Sequence, residues 1–248
     1  MPAATPDTKI YKYHVENLRS IEIALQNTAV SARKAISEEN TPATASFTRL
    51  YSFLLGAWAE TRLKKLLYEN NGYSPQERQS VLNQGTQYDQ WQKAIEVAIR
   101  KHYRVPKAKL TIKTLPFTAF AQYSSLCNLL DDDLKSIIEV RNKLAHGQWI
   151  YPFNSDNTGI ETDKFKLINK ENILSLQFKY ALIEELAEII HDLAVSLPTF
   201  KRDFDIHYKK IEGTKCNLNK REYDSYKKGL IDKRKRGVIK RKSNKGTP

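Results

Sequence analysis

The feature that most constrains the fold is the length of the segments that contain no helix-breaking residue. Residues 9–37 contain neither glycine nor proline, and their apolar side chains recur at helical spacing. The whole chain has only nine glycines and nine prolines in 248 residues, which is few for a protein built on tight β-turns. We therefore predict long helices joined by few turns.

Helical periodicity extends over most of the first 200 residues. We predict an all-α antiparallel bundle of four to five long helices, in which Asp131 caps one helix and Pro198 ends the last one. Turn-forming residues in 149–168 predict a loop or a short hairpin inserted into the bundle. The predicted helices span 9–37, 43–70, 75–83, 86–103, 118–130, 131–146 and 170–196.

Positive charge is concentrated in the last fifth of the chain. The formal net charge is +13, and residues 201–248 alone hold 17 lysines and arginines against six acidic residues. A nearly neutral body with a basic extension favours a polyanionic partner. We divide the chain into a flexible N-terminus (1–8), a helical domain (9–200) and a basic C-terminal extension (201–248) that is partly disordered.

Several classes of protein are disfavoured by the sequence. The N-terminus has no apolar core of a signal peptide, and no apolar run reaches the roughly 18 residues that a membrane-spanning helix needs. Cys127 and Cys216 lie far apart, which disfavours a disulfide framework. No phosphate-binding glycine loop and no metal-binding histidine spacing occurs. We expect a cytoplasmic protein that needs no cofactor and no metal ion.

The segment 134–149 carries polar residues where the stripe of a helix should be apolar. At about 100° per residue, Arg141 falls within a row of leucines and isoleucines. Asn142 and His146 are four residues apart, so their side chains stack beside that row. Gly147 follows, and glycine is the residue type that ends helices in a left-handed conformation. Three polar groups are therefore predicted near one helix end.

Two interpretations of these groups remain open from the residues alone. In the structural one, Arg141 forms an ion pair within the bundle, with Glu60 as a candidate, and His146 satisfies the last helix carbonyls. In the catalytic one, His146 exchanges a proton near neutral pH, Arg141 holds a phosphate with its planar fork, and Asn142 orients them. RNA would supply the nucleophile through its 2′-hydroxyl. The spacing alone favours the structural interpretation.

The stretch RNKLAH at 141–146 resembles the R-x4–6-H motif of the HEPN superfamily, including the asparagine after the arginine that its nuclease members favour. The placement is similar too, because the motif ends a late bundle helix that a loop and another long helix follow. The resemblance covers roughly 9–197 and leaves out the basic extension. It favours the catalytic interpretation over the structural one.

The resemblance implies a metal-independent endoribonuclease that pairs as a homodimer with a composite active site. His146 would act as general acid or base, Arg141 would bind the scissile phosphate, Asn142 would position both, and Lys143 would contact the RNA. The products would be a 2′,3′-cyclic phosphate and a 5′-hydroxyl. Such domains act as bacterial toxins or in antiphage defence, which implies an antitoxin or defence-system protein as a partner. Gln148 occupies the position of a tyrosine that antitoxins modify in some such toxins, so that regulation is not implied.

The basic extension supplies a second candidate site. Clustered lysines and arginines bind phosphates largely independently of sequence, and Tyr223 and Tyr226 are candidates to stack on bases. The alternative functions are a non-catalytic adaptor that dimerises and holds nucleic acid with this extension, and a structural subunit in which Arg141 is only an ion-pair partner. The candidate RNA-binding residues here are Lys233, Arg234, Lys235, Arg236, Lys240, Arg241 and Lys242.

Overall fold

The computed structural model describes residues 6–244, and within that range the protein is all-α, as predicted. Of the predicted flexible N-terminus, residues 1–5 lie outside this range and 6–8 belong to the first helix. The helices are α1 (Pro6–Ser37), α2 (Thr41–Leu67), α3 (Pro75–Leu82), α4 (Gln87–Tyr103), α5 (Phe117–Leu129), α6 (Lys135–Ala145), α7 (Thr162–Lys170), α8 (Ile173–Val195), α9 (Leu197–Lys220) and α10 (Tyr223–Asn244).

A hairpin of α1 and α2 forms the centre of the bundle. The Asn40 side chain accepts a hydrogen bond from the backbone N–H of Ala43 and caps α2, whose first turn accommodates Pro42. The middle of α2 is apolar on several faces, and its side chains Leu55, Trp58 and Leu63 are almost fully buried. The predicted central, buried helix is therefore confirmed, and α6 and α8 pack against it.

The segment that leads into α6 differs from the prediction. A π-helical turn, Leu130–Leu134, joins α5 to α6, and the backbone stays helical on both sides of it. Asp131 therefore caps no helix, and the predicted cap is wrong. The Asp131 carboxylate instead accepts a hydrogen bond of 2.5 Å from the Tyr88 hydroxyl on α4.

The segment after α6 is a loop followed by a short helix. Phe153 and Ile160 form an isolated antiparallel bridge, so the predicted loop or hairpin is found in the first part of 149–168. The second part belongs to α7, which the prediction missed. Beneath the loop is a small apolar cluster, separate from the main core, built from Val140, Leu144, Ile168, Phe53, Trp149 and Leu167.

The C-terminal fifth is more helical than predicted. Ser196 ends α8 and caps α9, and Pro198 lies in the first turn of α9. We predicted at most partial helix after residue 200, whereas α9 and α10 are continuous helices up to Asn244. Buried aromatic residues such as Phe200 hold α9 against the core. None of the described helices is both long and apolar enough to span a bilayer.

Candidate functional site

The end of α6 has the geometry that the sequence predicted. His146 is the last residue before the chain turns, and Gly147 follows in the left-handed region with φ +76°. The N–H of Gly147 donates to the Leu144 carbonyl (3.1 Å) and that of Gln148 to the Lys143 carbonyl (3.0 Å), which is the double hydrogen bond of a Schellman cap. A fixed backbone therefore carries the His146 side chain at the helix end.

The His146 imidazole is exposed and has no partner among residues 6–244. The structural interpretation gave this ring the task of satisfying the last carbonyls of the helix. Those carbonyls instead accept from the backbone of the cap and from the Trp149 indole N–H, which lies 3.0 Å from the Leu144 oxygen. The His146 side chain thus has no role in the hydrogen bonding of the helix end, where only its backbone N–H donates, to the Asn142 carbonyl at 3.3 Å, and the ring is exposed to solvent.

Arg141 has the partner that the structural interpretation named. Its Nη2 donates to the Glu60 carboxylate at 2.5 Å, and its Nη1 donates to the Asn142 side-chain oxygen at 3.1 Å. Both side chains of the ion pair are about one-quarter exposed, so the pair lies at the edge of the bundle. Glu60 also accepts from Lys64 at 2.6 Å. The guanidinium is therefore held in one orientation between α2 and α6.

A glycine of α2 lets Arg141 approach this closely. A Cβ atom placed on Gly56 would lie 2.3 Å from the Cβ and 2.7 Å from the Cγ of Arg141, well inside van der Waals contact. The two helices therefore touch through the backbone at this point. The close contact at Gly56 was not predicted from the sequence, although a glycine within a buried helix is itself a signal of close packing.

The Lys143 side chain is engaged in contacts within the protein and is not free to bind RNA in this structure. Its Nζ donates to the Phe153 carbonyl (2.6 Å) and pairs with the Glu161 carboxylate (2.6 Å). The Gln148 side chain accepts from the Phe153 N–H at 2.8 Å. Lys143 and Gln148 therefore fasten the 149–161 loop to the end of α6, and that loop lies beside His146.

The predicted basic site occupies a different part of the bundle. α10 packs on α1 and α8, whereas α6 packs on α2, α4 and α7. Arg234 pairs with Glu38 at 2.6 Å, and the Arg241 Nε donates to the Gly237 carbonyl at 3.1 Å. The side chain of Lys242 lies outside the described part of the chain. Among the candidate RNA-binding residues of α10, the following have exposed side chains: Lys233, Arg234, Lys235, Arg236, Lys240 and Arg241.

The two tyrosines of α10 are not free platforms for bases. Tyr223 and Tyr226 are half-buried against the main core, and burial raises the pKa of both phenols. Their rings serve to dock α10. In the range 6–244 no three His, Cys, Asp or Glu side chains are arranged to hold a metal ion.

Comparison with known proteins identifies no relative. No family model, no curated protein and no solved structure matches this chain significantly. The function is therefore inferred from the contacts described above.

Proposed function

We propose that this protein is a metal-independent endoribonuclease of the HEPN type, with its active site at the end of α6. The observation that carries the proposal is that the exposed His146, which has no side-chain partner among residues 6–244, follows an arginine that Glu60 holds in place five residues earlier on the same helix. A general acid or base must be open to substrate, and a phosphate-binding group must be oriented. His146 and Arg141 meet these two requirements.

Arg141 retains the capacity to bind a phosphate despite its ion pair. Each terminal nitrogen of a guanidinium carries two N–H groups, and only one contact from each is used, to Glu60 and to Asn142. The remaining N–H groups would donate to the scissile phosphate. His146 would take the proton of the 2′-hydroxyl and pass it to the leaving 5′-oxygen, or carry out one of these two proton transfers while water carries out the other. The 2′-oxygen then bonds to phosphorus as the bond to the 5′-oxygen breaks, giving the 2′,3′-cyclic phosphate.

The proposed enzyme acts as a homodimer. On an ideal helix Arg141 and His146 lie about 140° apart, which is awkward for a single phosphate bound by one chain. Two α6 helices facing each other across a two-fold axis would bring the His146 of one chain toward the Arg141 of the other. A mixture of His146→Ala and Arg141→Ala chains should then form heterodimers that retain one complete site, and the mixture should recover part of the lost activity.

The test is cleavage of labelled RNA by the purified full-length protein in EDTA, with the product ends identified by mass spectrometry. Since removal of one catalytic group costs about 10²-fold or more, we expect His146→Ala and Arg141→Ala each to lose activity by at least that factor. Lys135→Ala, an exposed change elsewhere on α6, is the matched control. Inhibition by EDTA, or full activity of His146→Ala, would contradict the proposal.

One observation favours a second candidate function, a non-catalytic nucleic-acid-binding adaptor. α10 is a preformed basic helix with several exposed cations, while the Arg141 charge is already balanced by Glu60. An adaptor would bind RNA or DNA with an affinity that falls steeply with salt, and removal of 227–248 would abolish binding. It would not cleave RNA, so the cleavage assay separates it from the first candidate.

A further inference from the structure

A cavity of mixed polarity lies near the start of α2, where the ends of α1 and α7 meet the starts of α8 and α10. Its volume is about 290 Å³, near the lower limit of small-molecule sites. Its lining includes the apolar side chains Ile36 and Ile168 and the ring of Tyr223, together with Thr44 and Thr48. The cavity therefore combines surface for a ring with polar groups for hydroxyls or charge.

The cavity contains an arginine whose charge no carboxylate balances. The Arg49 Nε is buried and has no hydrogen-bond partner, and its Nη2 reaches the Asn169 side-chain oxygen only at 3.5 Å. Within residues 6–244 Arg49 forms no ion pair. A buried donor without a partner costs stability, and an anion that accepted from the terminal nitrogens would balance the charge of this guanidinium. Lys227 of α10 lines the same cavity and adds a second cation.

The two carboxylates at the cavity do not compensate Arg49. The inner one, Glu171, is paired with Lys179 and accepts a hydrogen bond of 2.8 Å from the Ser175 hydroxyl. The other, Glu39, is an exposed residue in the turn after α1, and the solvent that screens its charge also screens that of the exposed Lys227. Among the described residues, the charge that faces the interior of the cavity without a carboxylate partner is therefore that of Arg49.

The threonines indicate which chemical groups the ligand carries besides its anionic group. The Thr44 hydroxyl donates to the Asn40 carbonyl (2.9 Å) and the Thr48 hydroxyl donates to the Thr44 carbonyl (2.8 Å). With their protons used in this way, both oxygens are left as acceptors. Acceptors suit the hydroxyls of a sugar, while the guanidinium suits a phosphate.

We propose that this cavity binds a phosphate monoester of nucleotide size, with Arg49 and Lys227 on the phosphate. Thr44 and Thr48 accept hydrogen bonds from the sugar hydroxyls, and the apolar side chains around Tyr223 cover the base of the nucleotide. Because Tyr223 and Lys227 belong to α10, the ligand bridges α10 to the hairpin of α1 and α2. The site is separate from the proposed cleavage site, and its existence does not depend on RNA cleavage.

Calorimetric titration of the full-length protein with adenosine 5′-monophosphate, inorganic phosphate and adenosine tests the site. We expect the nucleotide to bind best, phosphate more weakly and adenosine weakest. Arg49→Gln should weaken nucleotide binding by about tenfold or more, since it removes a charge-assisted hydrogen bond. Lys227→Gln should weaken it several-fold, whereas Lys228→Gln, the same charge change on an exposed neighbour outside the cavity lining, should leave it unchanged.

A further titration with a 5′-phosphorylated RNA dinucleotide identifies the source of the phosphate. If the dinucleotide binds more tightly than the mononucleotide, the ligand of the site is the 5′ end of an RNA. If it binds more weakly, the ligand is a free nucleotide. The inference is overturned if neither adenosine 5′-monophosphate nor inorganic phosphate binds at ligand concentrations up to about 10 mM. Unchanged nucleotide binding in Lys227→Gln would also overturn it, and that exposed variant decides the matter even if Arg49→Gln fails to fold.

Discussion

Replacement of Gly56 by alanine tests the close contact between α2 and α6 that holds Arg141. The new Cβ would meet the Arg141 Cβ at 2.3 Å, and two such carbons need about 3.5 Å, so the helices must separate by roughly 1 Å. A change of the Arg141 rotamer gives no relief, because its Cβ is fixed to the backbone. Overpacking of this kind costs about 1–3 kcal/mol, and the gain in helix propensity from glycine to alanine returns about 1 kcal/mol. We expect a net loss of about 0–2 kcal/mol.

Gly213→Ala is the matched control, since that glycine lies in α9 with nothing within 4 Å of a new Cβ. It should gain up to about 1 kcal/mol from helix propensity alone. Since the gain in helix propensity is common to both, the two variants should differ by the overpacking cost of roughly 1–3 kcal/mol, which corresponds to about 2–12 °C in Tm for a chain of this size. Thermal unfolding followed by circular dichroism measures the difference. If Gly56→Ala proves as stable as Gly213→Ala, the helices are not in backbone contact at Arg141.

Two further predictions concern stability. Gly147→Ala should cost about 1 kcal/mol in urea unfolding because of the φ of +76°, with Gly147→Asn closer to the parent protein; equal losses would contradict the cap geometry. The Glu69 carboxylate, 3.7 Å from the His191 Nε2, raises the pKa of His191. Burial alone would raise the Glu69 pKa, but His191 and a hydrogen bond from Lys65 outweigh burial and hold the Glu69 pKa at about 2. The stabilisation from His191 is therefore complete below its unfolded pKa of about 6.5 and is lost as the pH rises through the raised folded value. His191→Asn should destabilise more at pH 5.5 than at pH 9, and a pH-independent loss would contradict this sign.

Most of the helices could be predicted because their apolar side chains recur at the helical period over long runs without glycine or proline. The π-helical turn at 130–134 was not predictable in this way, since three aspartates in succession read as the start of a new helix. α10 was missed for a different reason. Its many charges predict a solvated chain, yet Tyr223, Tyr226 and Leu230 share one face at helical spacing and dock it on the core.

The candidate site was predictable in its residues and in one contact, the ion pair of Arg141 with Glu60, but not in the contacts of its loop. The periodicity of α6 put Arg141, Asn142 and His146 near one helix end, and the left-handed Gly147 is confirmed. Lys143 fastens the 149–161 loop because the chain folds back and brings Phe153 and Glu161 to it. Such long-range contacts leave no periodic signal in a single sequence, so tertiary packing alone reveals them.

The ion pair between Arg141 and Glu60 separates the catalytic from the structural interpretation because the two predict effects of different size on one variant. The pair is about one-quarter exposed, so its loss should cost more than the roughly 1 kcal/mol or less of an exposed pair and less than the roughly 3–5 kcal/mol of a buried one. The lower end is expected because Lys64 still compensates Glu60 when Arg141 is removed. Arg141→Met also keeps the Cβ and Cγ atoms that pack on Gly56. This variant should therefore remain folded, with a Tm lowered by only a few degrees. A loss of RNA cleavage of 10²-fold or more in the folded variant would then report a direct role of the guanidinium at the phosphate, whereas global unfolding would show that the arginine is needed for the bundle itself.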